Sequence, residues 1–232
     1  MELTHFFLRW FHFLAGITWI GILYYFNFVQ TPFFAETEAP VRTGVIQKLV
    51  PRALWWFRWG AMITFLAGIL MYLIRLGQAG APDFYSSQYG IVITLGGLIG
   101  TIMFLNVWLV IWPKQQIVIA STNQVAGGGQ ALPAAAAAGR RAGLTSRTNT
   151  VFSIPMLFFM GAAMHYPGLV TSSAAHGVFW LIALIIIAAV ECNALVGTQG
   201  ATKKPLDSIK GALWFGFILT AVLYFLIVAL LG

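Results

Sequence analysis

Six apolar runs divide this chain, at about 4–28, 54–77, 86–112, 148–167, 173–196 and 210–231. A helix needs roughly 20 mostly apolar residues to cross the hydrocarbon core of a bilayer, so each run is read as one crossing. Only 8% of the residues are charged and 59% are hydrophobic, which leaves too little sequence outside the membrane for a soluble domain. The expected fold is all-α: one polytopic membrane helix bundle over residues 1–232, with about six transmembrane helices. The first run is too long for a signal h-region and lacks a basic segment before it, so it is read as a spanning helix. The single cysteine, Cys192, excludes an intrachain disulfide and a cysteine-based metal cluster.

The formal charge of +7 would raise nucleic acid as a partner in a soluble protein. Here the basic residues gather in short segments between apolar runs, and the positive-inside rule accounts for them without nucleic acid. One side of the threaded chain holds Arg42, Lys48, Arg52, Lys114, Arg140, Arg141, Arg147, Lys203, Lys204 and Lys210. The other side has none in its loops, only Arg9 and Arg75 inside helix ends. The first side is therefore expected to be cytoplasmic, with both termini outside. Pro113 after "NVWLVIW" reads as a helix stop, and "KQQIVIASTNQ" as a segment along the membrane surface. "AGGGQALPAAAAAGRRAG", at about 126–143, reads as a flexible cytoplasmic loop.

With this threading, His5, His12, His165 and His176 all fall in the outer half. His12 lies about 12 Å below the outer end of its helix, at 1.5 Å per residue. Gly16 and Trp19 continue its stripe, which should face the bundle rather than lipid. Ionisable groups inside a membrane are costly and are candidates for function. A planar redox cofactor held axially by two histidines, with glycine clearing the ring, fits this pattern. Haem b is the expected cofactor, its iron held by His12 with either His165 or His176, and Gly16 and Trp19 beside it; an interhelical hydrogen bond from His12 is the plainer alternative. A second polar layer lies toward the cytoplasm: Asn27, Asn106, Glu191 and Asn193 near inner helix ends, Arg58 one turn inside its helix, and Arg147, Thr148 and Asn149 at a helix entry. Glu191 is expected to pair with Arg58. The layer reads as a hydrogen-bond network, or as a small-molecule or quinone pocket.

Other motifs read structurally. "GGLIG" spaces Gly96 and Gly100 for close helix packing, "WWFRWG" is an interfacial aromatic anchor, and Met160 and Met164 are core filling. Pro155 should kink its helix.

The blocks "LRWFHFLAGITWIGILYYFN", "FLNVWLVIWPKQQ" and "SRTNTVFSIPMLFFMGAAMHYP" together resemble the membrane domain of bacterial membrane-bound urate hydroxylases, the urate oxidase amino-terminal domain family. The resemblance implies a redox membrane domain of the bacterial inner membrane that passes electrons to a cytochrome c. It carries His12, Asn106, Trp108, Arg147, Asn149 and His165 as cofactor or site residues. That cytochrome is typically fused at the outer carboxyl end. This chain ends at Gly232 without a C-x-x-C-H, so a periplasmic cytochrome c is expected as a separate chain. The expected function is a haem b redox protein passing electrons from a urate-like substrate or a quinol to that cytochrome. The alternative is an accessory transmembrane subunit of a larger respiratory or photosynthetic complex. A transporter has less support, because no inverted repeat is visible.

Overall fold

A computed structural model describes residues 2–172 and 174–232, which form helices and no strand. Helix α1 (Glu2–Tyr24) runs through a π-helical segment (Tyr25–Gln30) into α2 (Thr31–Glu36). Helix α3 (Ala39–Lys48) leads to α4 (Val50–Ala79), and a short α5 (Ala81–Ser86) to α6 (Gln88–Leu105). A second π-helical segment (Asn106–Ile111) joins α6 to α7 (Trp112–Ala126). Helices α8 (Ala135–His165), α9 (His176–Leu195) and α10 (Ile209–Leu231) follow, the last two linked by a 3₁₀ turn (Ala201–Asp207). The up-and-down order places both termini at one end, where the amides of Thr171 and Ser172 donate to the carbonyl of Leu231. The loops rich in Lys and Arg gather at the opposite, basic end.

Five continuous helices are long and apolar enough to cross a membrane: Glu2–Glu36, Val50–Ala79, Gln88–Ala126, His176–Leu195 and Ile209–Leu231. The chain is a multi-pass membrane protein. Its outward faces suit lipid, with Ile17, Leu109 and Trp214 each more than two-thirds exposed. The run expected at 148–167 belongs to α8, which is too polar to count with the five. Instead α8 occupies the centre: it packs against α1, α6, α7, α9 and α10, and 16 of its 31 residues are buried. A polar helix survives there because its neighbours, rather than lipid, surround it.

Two expectations need correction. The Ala/Gly-rich stretch at 126–143 is not a loop throughout, because α8 already begins at Ala135. Alanine is the strongest helix former, and Ala135–Ala138 start the helix well before the apolar run. What remains of the loop is tied down by the Leu132 amide, which donates to Ser121 Oγ at 3.0 Å. Pro113 does not stop its helix either. The preceding turn is π-helical, and the Trp112 amide bonds back to the Val107 carbonyl. Widening the turn accommodates a residue that lacks an N–H and would otherwise crowd the carbonyl four residues back. The same device precedes Pro32, after the π segment Tyr25–Gln30. The stretch expected along the membrane surface is thus α7, a straight continuation.

Small residues set the helix contacts. A Cβ on Gly96 would lie 3.0 Å from Met160 Cγ, and one on Gly100 would lie 3.4 Å from Met156 Sδ. The Gly96–Gly100 pair therefore lets α6 meet α8, as its spacing suggests. Pro155 leaves the Val151 carbonyl of α8 without its helical donor, and Gly216 of α10 closes on that carbonyl. A Cβ on Gly216 would sit 2.9 Å from the Val151 oxygen and 2.5 Å from Ile154 Cδ1. Gly216→Ala is expected to cost about 1–3 kcal/mol by overpacking, read as a lower thermal midpoint of the purified protein. An unchanged midpoint would mean that α10 can slide away from α8 freely.

Candidate functional site

The buried polar side chains of α8 form a band: Thr145, Arg147, Thr148, Asn149, Thr150 and Ser153. Asn149 bonds to the second π-helical segment, Ser153 to Tyr24 at the end of α1, and the neighbouring Ser146 to the first π-helical segment. Asn106 Nδ2, at the start of the second π segment, donates to Asn149 Oδ1 at 2.9 Å and to Glu191 Oε2 at 3.0 Å. Asn149 Nδ2 in turn donates to the Met103 carbonyl at 2.9 Å. From the first π segment, Asn27 Nδ2 donates to the Leu23 carbonyl at 2.8 Å and to Ser146 Oγ at 2.9 Å. Ser153 Oγ donates to the Thr150 carbonyl at 2.7 Å, so the Tyr24 hydroxyl, 2.9 Å away, must be the donor to Ser153.

Beside this band a cavity of about 300 Å³ opens toward the basic end. Asn27, Gln30, Thr31, Gln115, Ser146 and Arg147 line it, and the Arg140–Asp207 ion pair, at 2.8 Å, stands among its walls. Arg147 is only 7% exposed. Its Nη1 is buried with no hydrogen-bond partner, and so is Gln30 Oε1. A buried donor or acceptor left unpaired costs about 1–3 kcal/mol, more for a charged group. Such costs persist where a ligand can recover them. Because α8 starts at Ala135, Arg147 stands about 18 Å along the helix, in the protein interior rather than at a helix entry.

The expected Glu191–Arg58 pair does not form. Glu191 is held by Asn106, while the Arg58 guanidinium lies over indole rings, 3.9 Å from the centroid of Trp112 and 5.0 Å from that of Trp108. Cation–π contact replaces the ion pair. Asn193 lies in the last turn of α9, where Lys203 Nζ donates to Asn193 Oδ1 at 3.0 Å and to the Val196 carbonyl at 2.8 Å, closing the helix end.

The outer histidines behave differently from one another. His12 Nδ1 lies 2.8 Å from the Thr64 carbonyl. A carbonyl can only accept, so Nδ1 carries a proton. The His12 stripe faces α4. A Cβ on Gly16 would meet Thr64 Cγ2 at 3.8 Å, one on Gly60 would lie 3.2 Å from the Trp19 amide nitrogen, and one on Gly68 would lie 3.1 Å from His12 Cε1. Gly16 therefore makes room for α4, not for a flat ring, and Trp19 is core, 2% exposed. The other two histidines do not complete a site. His176 Nε2 accepts from the Trp180 indole at 3.2 Å, and His165 is exposed at the end of α8. Among the described residues no group of three or more His, Cys, Asp or Glu is placed to hold a metal. A haem ring beside His12 would have to part α1 from α4 at Gly16, Thr64 and Gly68.

A sequence model of the family described as urate oxidase N-terminal matches residues 78–229. The chain belongs to that family. Comparison with curated proteins and with solved structures returns no match. The urate oxidase N-terminal match covers Asn106, Trp108, Arg147, Asn149, His165, His176 and Glu191. It leaves out α1 and all but the last two residues of α4, and with them His12, Gly16, Trp19 and Arg58. Within the matched region, the structure joins Asn106, Asn149 and Glu191 in one network. Gln30 escaped notice in the sequence, although Asn27, Gln30 and Thr31 stand at i, i+3 and i+4 in an otherwise apolar run, a spacing that marks one helix face.

Proposed function

We propose that this chain is the membrane subunit of a urate-oxidising system. A small planar anion of the urate class enters the cavity beside Arg147 from the cytoplasm, and its electrons leave to a separate periplasmic cytochrome c. The observation that carries this reading is the buried guanidinium of Arg147, a residue of the family-matched region, with an unpartnered nitrogen, beside a purine-sized cavity that it lines. Arginine is well suited to a planar anion, because its fork donates two parallel hydrogen bonds. The surrounding basic residues would raise the local concentration of anions at the entrance. By the positive-inside rule the basic end lies in the cytoplasm and the termini in the periplasm of a bacterial inner membrane. Membranes carrying the chain should reduce added cytochrome c when urate is supplied. Absence of urate-dependent reduction, with the chain recovered instead as a fixed member of a larger complex, would favour the accessory-subunit alternative.

A further inference from the structure

Two residues that line the cavity at the basic end carry complementary unsatisfied groups. Arg147 supplies a cationic donor, Nη1, and Gln30 a neutral acceptor, Oε1; both atoms are buried, and neither has a protein partner. The residues come from distant parts of the chain, α8 and the end of the first π segment, and both line the same space of about 300 Å³. Gln30 sits there because the π turn ahead of Pro32 ends on it. An anion alone, such as a sulfate or a simple carboxylate, would satisfy Arg147 and leave Gln30 unpaired. It would even present like-signed oxygen to the Gln30 acceptor. A ligand that offers an anionic or carbonyl oxygen along one edge and a ring N–H along another would satisfy both.

Resting on the reading of the cavity as the substrate site, we propose that Gln30 is its specificity-determining residue. Its amide oxygen accepts from a ring N–H of a lactam-type heterocycle whose anionic oxygen edge is held by Arg147. Sites built to hydrogen-bond a polar group discriminate strongly against analogues that lack it, because the site's own group is then stranded. Gln30 thus separates planar lactam anions from other small anions that Arg147 alone would admit.

The test is equilibrium binding of urate and of a trimethylated urate whose one remaining N–H is the acidic one, so that both bind as anions and only urate keeps a ring N–H, to the purified full chain in detergent. The wild type should bind urate at least about tenfold more tightly than the methylated compound, the scale of one lost buried hydrogen bond. Gln30→Met, which keeps the volume, should lower urate affinity about tenfold and erase that preference. Gln30→Glu, which keeps an acceptor oxygen, should retain the preference for the N–H-bearing ligand even as its charge weakens urate binding. Full discrimination in Gln30→Met would overturn the role of Gln30 while leaving the cavity as the substrate site. Loss of discrimination in Gln30→Glu would show that the amide donates rather than accepts, which equally overturns it. A wild type that binds neither compound would bring down the substrate reading and this inference with it.

Discussion

Arg147→Met is expected to abolish urate-dependent cytochrome c reduction, by about 100-fold or more, while leaving the fold as stable as before or more so. The two effects have one cause. Among the described residues Arg147 is a buried cation with no ion pair, and one of its guanidinium nitrogens is unpartnered. Taking such a charge out of water is costly, and an apolar side chain of similar size often replaces a buried charge with a gain of about 1–4 kcal/mol. The bound anion would recover that cost, with charge-assisted hydrogen bonds each worth about 1.5–3 kcal/mol. Two such bonds correspond to at least a hundredfold in affinity. Arg147→Lys keeps the charge but not the fork, so it should restore only part of the activity. Thermal unfolding and initial reduction rates of the three proteins decide the matter. If Arg147→Met unfolds well below the wild type, Arg147 is a structural cation with a partner in the fold.

Much of the architecture was legible because hydropathy reports membrane crossings directly. Five of the six expected runs lie in helices that qualify as spans by length and apolarity. The sixth was placed correctly in sequence, but its role was not evident. The run at 148–167 reads as one more crossing, whereas Thr145, Arg147, Asn149 and Ser153 make its helix a polar centre on which four of the five apolar spans pack. Centrality is a tertiary property, and no local pattern carries it. The π segments were hidden for a related reason. A proline within a helical pattern announces a disturbance, but whether the helix stops, kinks or widens depends on what packs beside it. Pro113 was read as a stop, and it is the mark of a widened turn.

The candidate site divides along the same line. The inner polar residues were recognisable one by one, since amides and charges are rare within apolar runs, and the structure does gather Asn106, Asn149 and Glu191. Partner choice was less accessible. Glu191 and Arg58 are opposite charges at similar depth, yet Arg58 found three tryptophans and Glu191 an asparagine. The outer stripe misled for a physical reason. A glycine four residues after a histidine makes room for something close by, but it cannot say whether that is a ring or another helix. Gly60, Thr64 and Gly68 on α4 are the counterpart that the stripe fits.

The second large effect is expected at Asn106, where a single amide nitrogen holds two acceptors on two other helices. Removing it in Asn106→Leu strands Asn149 Oδ1 on α8 and the Glu191 carboxylate on α9. No cation is hydrogen-bonded to Glu191 to compensate, and leucine cannot donate. The cost should be about 2–4 kcal/mol, the range for a stranded neutral acceptor plus a partly buried charge. Neutralising the carboxylate should return part of it. In Asn106→Leu/Glu191→Gln the new amide carries no charge and can itself donate, so about 1–2 kcal/mol of the loss is expected back. The order of unfolding midpoints should run wild type, then the double variant, then Asn106→Leu. Fluorescence of the nine tryptophans offers a direct readout in detergent. If the double variant is no more stable than Asn106→Leu alone, the stranded charge is not what destabilises it. The loss would then come from packing around the second π segment, where leucine at 106 would disturb the buried contacts of Val107 and Ile111. If Asn106→Leu costs less than about 0.5 kcal/mol, the level of an ordinary surface substitution, water reaches Glu191 from the basic end and the network does not bind α6, α8 and α9 together.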